Sequence, residues 1–186
     1  MIRKLAVSLF LLITAAVIAI LAIAGARPGS FHVERSMTTT APPRTVFAIV
    51  NDLNRFHEWS PWQKLDPAMK SAVQSSGAGT GSVGSVGAMY SWTGNDEVGE
   101  GRMTITESRP PNHVALKLEF RKPFRSTNDV HFRIAPEGAG SRVTWAMDGT
   151  NNFTVKVMSL FMSMDSVLGR DLSSGLANLK QLSERP

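Results

Sequence analysis

Between Phe31 and Met147 the apolar residues mostly recur at every second position, the period of a strand with one buried face. Phe31, Val33 and Met37 alternate with His32, Glu34 and Ser36. Ala88, Tyr90 and Trp92 share one parity. From Val98 to Glu107, Gly99, Gly101, Met103 and Ile105 fall on one side, with Arg102, Thr104 and Thr106 on the other. The pattern continues through Val114, Leu116, Leu118 and Phe120, then Val130, Phe132 and Ile134, then Val143, Trp145 and Met147. Turn signals at Thr93-Gly94-Asn95-Asp96, Arg109-Pro110-Pro111-Asn112 and Glu137-Gly138-Ala139-Gly140 separate these runs, which is the spacing of an antiparallel meander. Arg35 breaks the rule, because its parity is inward. Either a bulge turns it out, or a cation looks into the interior.

Two regions carry a helical period instead. After Ala41-Pro42-Pro43, Val46, Phe47, Ile49 and Val50 predict a short helix, with proline suited to its first turn. Asn51-Asp52 marks a boundary, and Leu53 to Trp59 predicts a second short helix that Ser60-Pro61 ends. From Thr154 to Ser183, Met158, Phe161, Met162, Leu168, Leu172, Leu176 and Leu179 lie on one face at 3.6-residue spacing. One long terminal helix is therefore expected to cover the sheet. Asp165 falls inside that apolar stripe. It either faces an interior, where it needs a partner, or marks the start of a helix. Val155 to Met164 is apolar nearly all round, which suits a gate, a membrane contact or simple burial.

Leu5 to Ala24 is apolar apart from Ser8 and Thr14, and its length of about twenty residues spans a bilayer. The expectation is a single-pass anchor over residues 1–26, with Arg3 and Lys4 kept cytoplasmic and the rest of the chain on the extracytoplasmic side of the cell membrane. A signal peptide cut after Ala22-Ile23-Ala24 is the alternative, giving a secreted or periplasmic domain. Residues 27–30 read as a linker, and 31–186 as one domain of about 150 residues.

Composition removes several chemistries. The chain of 186 residues has no cysteine, so thiol nucleophiles and thiolate metal sites are absent. Its net charge of +5 is spread along the chain, without the basic stripe and interleaved aromatics of a nucleic-acid surface. The four histidines show no metal-ligand spacing, and no cofactor motif is found. His57 and Glu58 are neighbours on a helix and point apart, and parity puts Asp129, His131 and Arg133 on the solvated face. Gly79, Gly81 and Gly84 match G-x-G-x-x-G within the Gly/Ser-rich stretch from Ser75 to Gly87. A strand follows them where the dinucleotide mechanism needs a helix, so that reading is rejected.

Large side chains face glycines across the predicted interior. Gly99 and Gly101 on the buried face, opposite Tyr90, Trp92, Met103 and Trp145, leave room for a cavity or for curvature of the sheet. Trp59 and Trp62 flank a rigid turn and could line its mouth or plug the core. Phe120 and Met147 share the inward parity, and Met158 and Met162 offer adaptable thioethers. Asp165 and Arg35 are the candidate polar groups.

Several of these stretches resemble the START-like, or SRPBCC, superfamily in its polyketide cyclase/dehydrase-like bacterial branch. They are Val33-Glu34-Arg35-Ser36 with Ala41-Pro42-Pro43 and Val46-Phe47, then Trp59-Ser60-Pro61-Trp62, then Val86 to Asn95, Val98-Gly99-Glu100-Gly101, and Leu168-Gly169-Arg170-Asp171. The resemblance implies an α+β helix-grip fold: a curved antiparallel sheet of about six to seven strands wrapped on a long C-terminal helix, two short helices after the first strand, and an apolar cavity between sheet and helix. It brings no catalytic motif. A membrane-anchored module binding a hydrophobic small molecule or lipid is the leading expectation. The alternatives are a cyclase or dehydratase acting through Tyr90, Asp165 or Arg35, and an interaction domain related to heat-shock chaperone activators.

Overall fold

The computed structural model describes residues 2–75, 84–161 and 163–185. Helix α1 (Ile2–Ala26) leads into strand β1 (Ser30–Thr39), followed by α2 (Pro43–Asn51) and α3 (Phe56–Trp59). Strands β2 (Lys70–Gln74), β3 (Met89–Thr93), β4 (Glu100–Arg109), β5 (His113–Lys122), β6 (Ser126–Glu137) and β7 (Gly140–Thr150) come next. Helices α4 (Phe153–Met158) and α5 (Met164–Ser183) close the chain. All seven strands form one antiparallel sheet in the order β1-β7-β6-β5-β4-β3-β2.

The alternation seen in the sequence is the alternation of burial. Val33, Met103, Ile105, Leu116, Leu118, Val130, Phe132, Val143, Trp145 and Met147 form the concave, buried face. Helix α5 lies against it through Leu172, Leu176, Leu179 and Leu182. Each Å² of apolar surface that this contact removes from water stabilises the domain by about 25 cal/mol. Register shifts at Glu100/Gly101 and at Ile105/Glu107 bend β4, the effect of bulges on a strand. Proline at the first position of α2 and the Asn152 side chain, which accepts from the Val155 N–H at 2.9 Å, start two of the helices.

Four expectations need correction. The C-terminal helix is not continuous from Thr154. It breaks after Met158 and restarts at Met164 with Ser163 in an extended conformation, so Met158 is half-exposed instead of inward. Met162 lies outside the described residues, as do Gly79 and Gly81 of the glycine match. Gly99 is not a strand residue but sits in the β3–β4 turn with φ +65°, a conformation that favours glycine. The second short helix is one α turn between two 3₁₀ turns, Leu53–Arg55 and Pro61–Lys64. Strand β2 has no counterpart in the sequence reading.

The N-terminal helix is long and apolar enough over Arg3–Ala26 to cross a membrane. Its last turn touches α4, where Ala24 is fully buried. Arg27 Nη1 donates to the Ser159 carbonyl at 2.9 Å, and the Asn151 N–H donates to the Gly29 carbonyl at 2.6 Å.

Candidate ligand cavity

Between the concave face and α5 lies a cavity of about 330 Å³. Its walls are aromatic because the inward positions of β3, β5, β6 and β7 meet the side chains that α3 and the second 3₁₀ turn push over the sheet. Phe120, Trp92, Tyr90 and Phe56 follow one another at centroid distances of 5.5, 6.2 and 5.2 Å. Phe56 continues to Trp59 at 5.0 Å, edge to face, and Trp59 to Trp145 at 5.6 Å. Trp62 stands 5.9 Å from Trp145. Edge-to-face rings at these spacings stabilise each other by about 0.5–1.5 kcal/mol beyond their area.

Helix α5 fixes this arch from outside. The Asn178 amide donates to the Trp59 carbonyl at 3.1 Å, and the Trp62 indole N–H donates to Asp171 at 3.3 Å. Gly175 lets the Trp145 ring lie on the helix, since a β-carbon there would stand 2.6 Å from that ring. Trp92 is pinned by its indole N–H to the Val98 carbonyl at 3.1 Å.

The cavity is apolar, and four residues of its lining carry buried polar atoms without partners that are covered by their neighbours. The indole N–H groups of Trp59 and Trp145, the Tyr90 hydroxyl and the Ser60 hydroxyl form no hydrogen bond. Burial raises the Tyr90 phenol above its ordinary value. Ser71 offsets this in part, without the geometry of a hydrogen bond. Each such buried group costs about 1–3 kcal/mol until something pairs with it.

A family model described as polyketide cyclase / dehydrase and lipid transport matches residues 30–184. The chain belongs to that family. No curated protein matches it significantly. Among solved structures, a protein from Chromobacterium violaceum is 14% identical over 86% of this chain and 100% of its own, with a TM-score of 0.58. Ginseng major latex-like protein 151 from Panax ginseng is 14% identical over 84% of this chain and 99% of its own, at 0.55. The di-domain ARO/CYC StfQ from the steffimycin biosynthetic pathway is 10% identical over 84% of this chain and 51% of its own, at 0.58. These likenesses concern the fold.

In this polyketide cyclase-like chain, eight of the twelve residues singled out above line the cavity: Trp59, Trp62, Tyr90, Trp92, Met103, Phe120, Trp145 and Met147. Arg35, Met158 and Asp165 are outside that lining. Asp165 does share the sheet-facing stripe of α5, but in the first turn, where its side chain is 60% exposed. Arg35 keeps its inward parity in an unbulged β1 and meets Asp165 through two 2.8 Å hydrogen bonds. The guanidinium crosses α5 over Gly169, where a β-carbon would overlap it. That hydrogen bonding holds the Asp165 carboxyl below its ordinary value; desolvation opposes it, and the charge of Arg35 adds a smaller pull in the same direction.

Gly101 does not open the cavity. A β-carbon there would lie 2.6 Å from the Trp92 ring, so the glycine is the seat of that indole. The expected polar face is as read: Asp129 and Arg133 are exposed, and His131 stacks on His113 at 5.4 Å beside Glu107. Among the described residues no cluster could hold a metal ion. The sequence reading missed Phe56, on α3, although its helical spacing was visible. It also missed Phe124, which lies in the β5–β6 turn where periodicity carries no signal, and Asn128, a polar residue on β6 with the inward parity of Val130; Val155 was read only within the apolar segment from Val155 to Met164.

Proposed function

We propose that the protein holds a small hydrophobic molecule or single-chain lipid in this cavity while α1 anchors it in a membrane. Residues 1–26 are the anchor, 27–30 the linker and 31–186 the binding domain, on the extracytoplasmic side. One observation carries the reading: an aromatic cavity of about 330 Å³ between the sheet and α5, lined almost wholly by apolar side chains. The volume is near the lower end of the usual range of about 300–1,000 Å³ for ligand pockets. It suits one aliphatic chain or a small ring system. The Trp59, Trp145 and Tyr90 donors lie just behind the lining, so a ligand oxygen (carbonyl, ether or hydroxyl) would pair with one of them after a small side-chain shift. The family description, with its mention of lipid transport, is in keeping with such cargo.

The catalytic alternative, acting through Tyr90, Asp165 or Arg35, predicted convergent polar side chains. Asp165 and Arg35 neutralise each other outside the cavity lining, leaving Tyr90 without them. The interaction-domain alternative predicted a filled interior and an exposed apolar patch; the cavity opposes the first mark, while exposed Phe124, Phe153, Met158 and Phe161 are in keeping with the second.

The test is native mass spectrometry of the full chain released from detergent, followed by extraction. A retained oxygen-bearing apolar molecule is the expected result. An apo mass that stays unchanged on challenge with fatty acids, phospholipids and aromatic polyketides overturns the proposal.

A further inference from the structure

One end of the sheet gathers the linker, the cavity mouth and an apolar rim. Ser30 of β1 pairs with Thr150 of β7, Phe120 with Ser126, and Glu100 with Lys122. The β5–β6 turn, the β3–β4 turn and the start of α4 therefore share the end at which α1 arrives. The exposed members of the cavity lining, among them Phe124, Arg125 and Asn152, lie at this end. The opposite end holds the β4–β5 and β6–β7 turns.

The rim is unusual in what it exposes. Phe124, Phe153, Met158 and Phe161 are 49, 52, 50 and 74% accessible. No residue of α4 is buried, although Phe153, Val155, Val157 and Met158 are apolar. Beside them stand Arg27, Arg125 and Lys156, which form no ion pair among the described residues. Asp96 and Glu97 of the β3–β4 turn are exposed at the same end, but the cations stand with the apolar side chains of the β5–β6 turn and α4, the composition of a surface that lies in a lipid headgroup layer.

We propose that this rim docks on the anionic bilayer in which α1 sits, so that the cavity opens onto the membrane and exchanges its ligand with it directly. The tether makes the contact intramolecular. Ala24 is buried against α4, Arg27 is bonded to Ser159, and Gly29 to Asn151 at 2.6 Å. Since the apolar span runs to Ala26, α4 and the Ser159–Phe161 turn are held at the depth where that span leaves the hydrocarbon. Each unpaired cation near an anionic surface adds about fivefold in affinity. The inference rests on the anchor and cavity proposed above.

The cysteine-free chain permits single nitroxide labels in full-length protein reconstituted into phosphatidylglycerol-containing vesicles. Labels at F124C and F161C are expected to be several-fold more accessible to oxygen than to a water-soluble nickel chelate, relative to E137C at the end of β6. Combining F124C with R125E and K156E is expected to shift its label toward the chelate. If F124C and F161C report water while L12C on α1 reports hydrocarbon, docking is overturned and the anchor stands. If L12C also reports water, the anchor fails and docking with it. Lipid-facing labels on a chain that retains no ligand uphold the docking and count against the cavity reading alone.

Discussion

Replacing Leu118 by phenylalanine tests whether the space between sheet and helix is real. Leu118 is buried on β5 with its side chain in the cavity wall. The substitution adds three carbons, and burying them in empty space contributes about 0.8 kcal/mol each, roughly 2 kcal/mol in total. For a domain of this size that raises Tm by about 4–8 °C. If the interior were filled, the same carbons would overpack it and cost about 1–3 kcal/mol. The two cases differ in sign, so the assay is robust to the size of either term. The measurement is thermal unfolding of the full chain in detergent, without and with ligand. Ligand at one hundred times its Kd should stabilise the parent protein by about 2.7 kcal/mol, and the variant by much less. A variant that melts below the parent in the absence of ligand refutes the cavity.

Tyr90→Phe removes a buried hydroxyl that has no partner, so the ligand-free protein should gain about 1–2 kcal/mol, while affinity for an oxygen-bearing ligand falls; chemical denaturation reads the first sign and calorimetric titration the second. Gly101→Ala should cost about 1–3 kcal/mol in chemical denaturation, because the new carbon meets the Trp92 ring and the Glu119 carbonyl, each at 2.6 Å. Asp165 is held below its ordinary value of 3.8 by Arg35. Its contribution to stability is therefore complete above that pH and fades as pH falls through the depressed value. Comparing Asp165→Asn with the parent across pH should show a stability gap at neutral pH that closes in strong acid; a gap independent of pH rejects the assignment.

The sheet was legible because six of its strands each bury one face, so parity in the sequence becomes parity in space. Strand β2 escaped because it lies at the edge, where Val73 alone is partly covered and alternation has nothing to record. The Asp165 angle was read correctly, yet its meaning depended on where along the helix it fell. A wheel gives direction but not depth, and the first turn of α5 reaches β1 at Arg35 outside the cavity lining. The break after Met158 was hidden for a related reason: the apolar spacing continues across residues that are not helical. The aromatic wall was legible residue by residue through Trp59, Tyr90, Trp92 and Trp145. Its members from turns, such as Phe124, could be found only once the ends of the strands had been assembled.

The chain contains four tryptophans, and all four line the cavity. Its ultraviolet emission therefore originates almost wholly from the candidate site. A ligand that displaces water from the arch would shift that emission to shorter wavelength, and a conjugated ligand would quench it by energy transfer. The protein is in this sense its own optical sensor, and a library of compounds could be screened on the unlabelled chain by following emission.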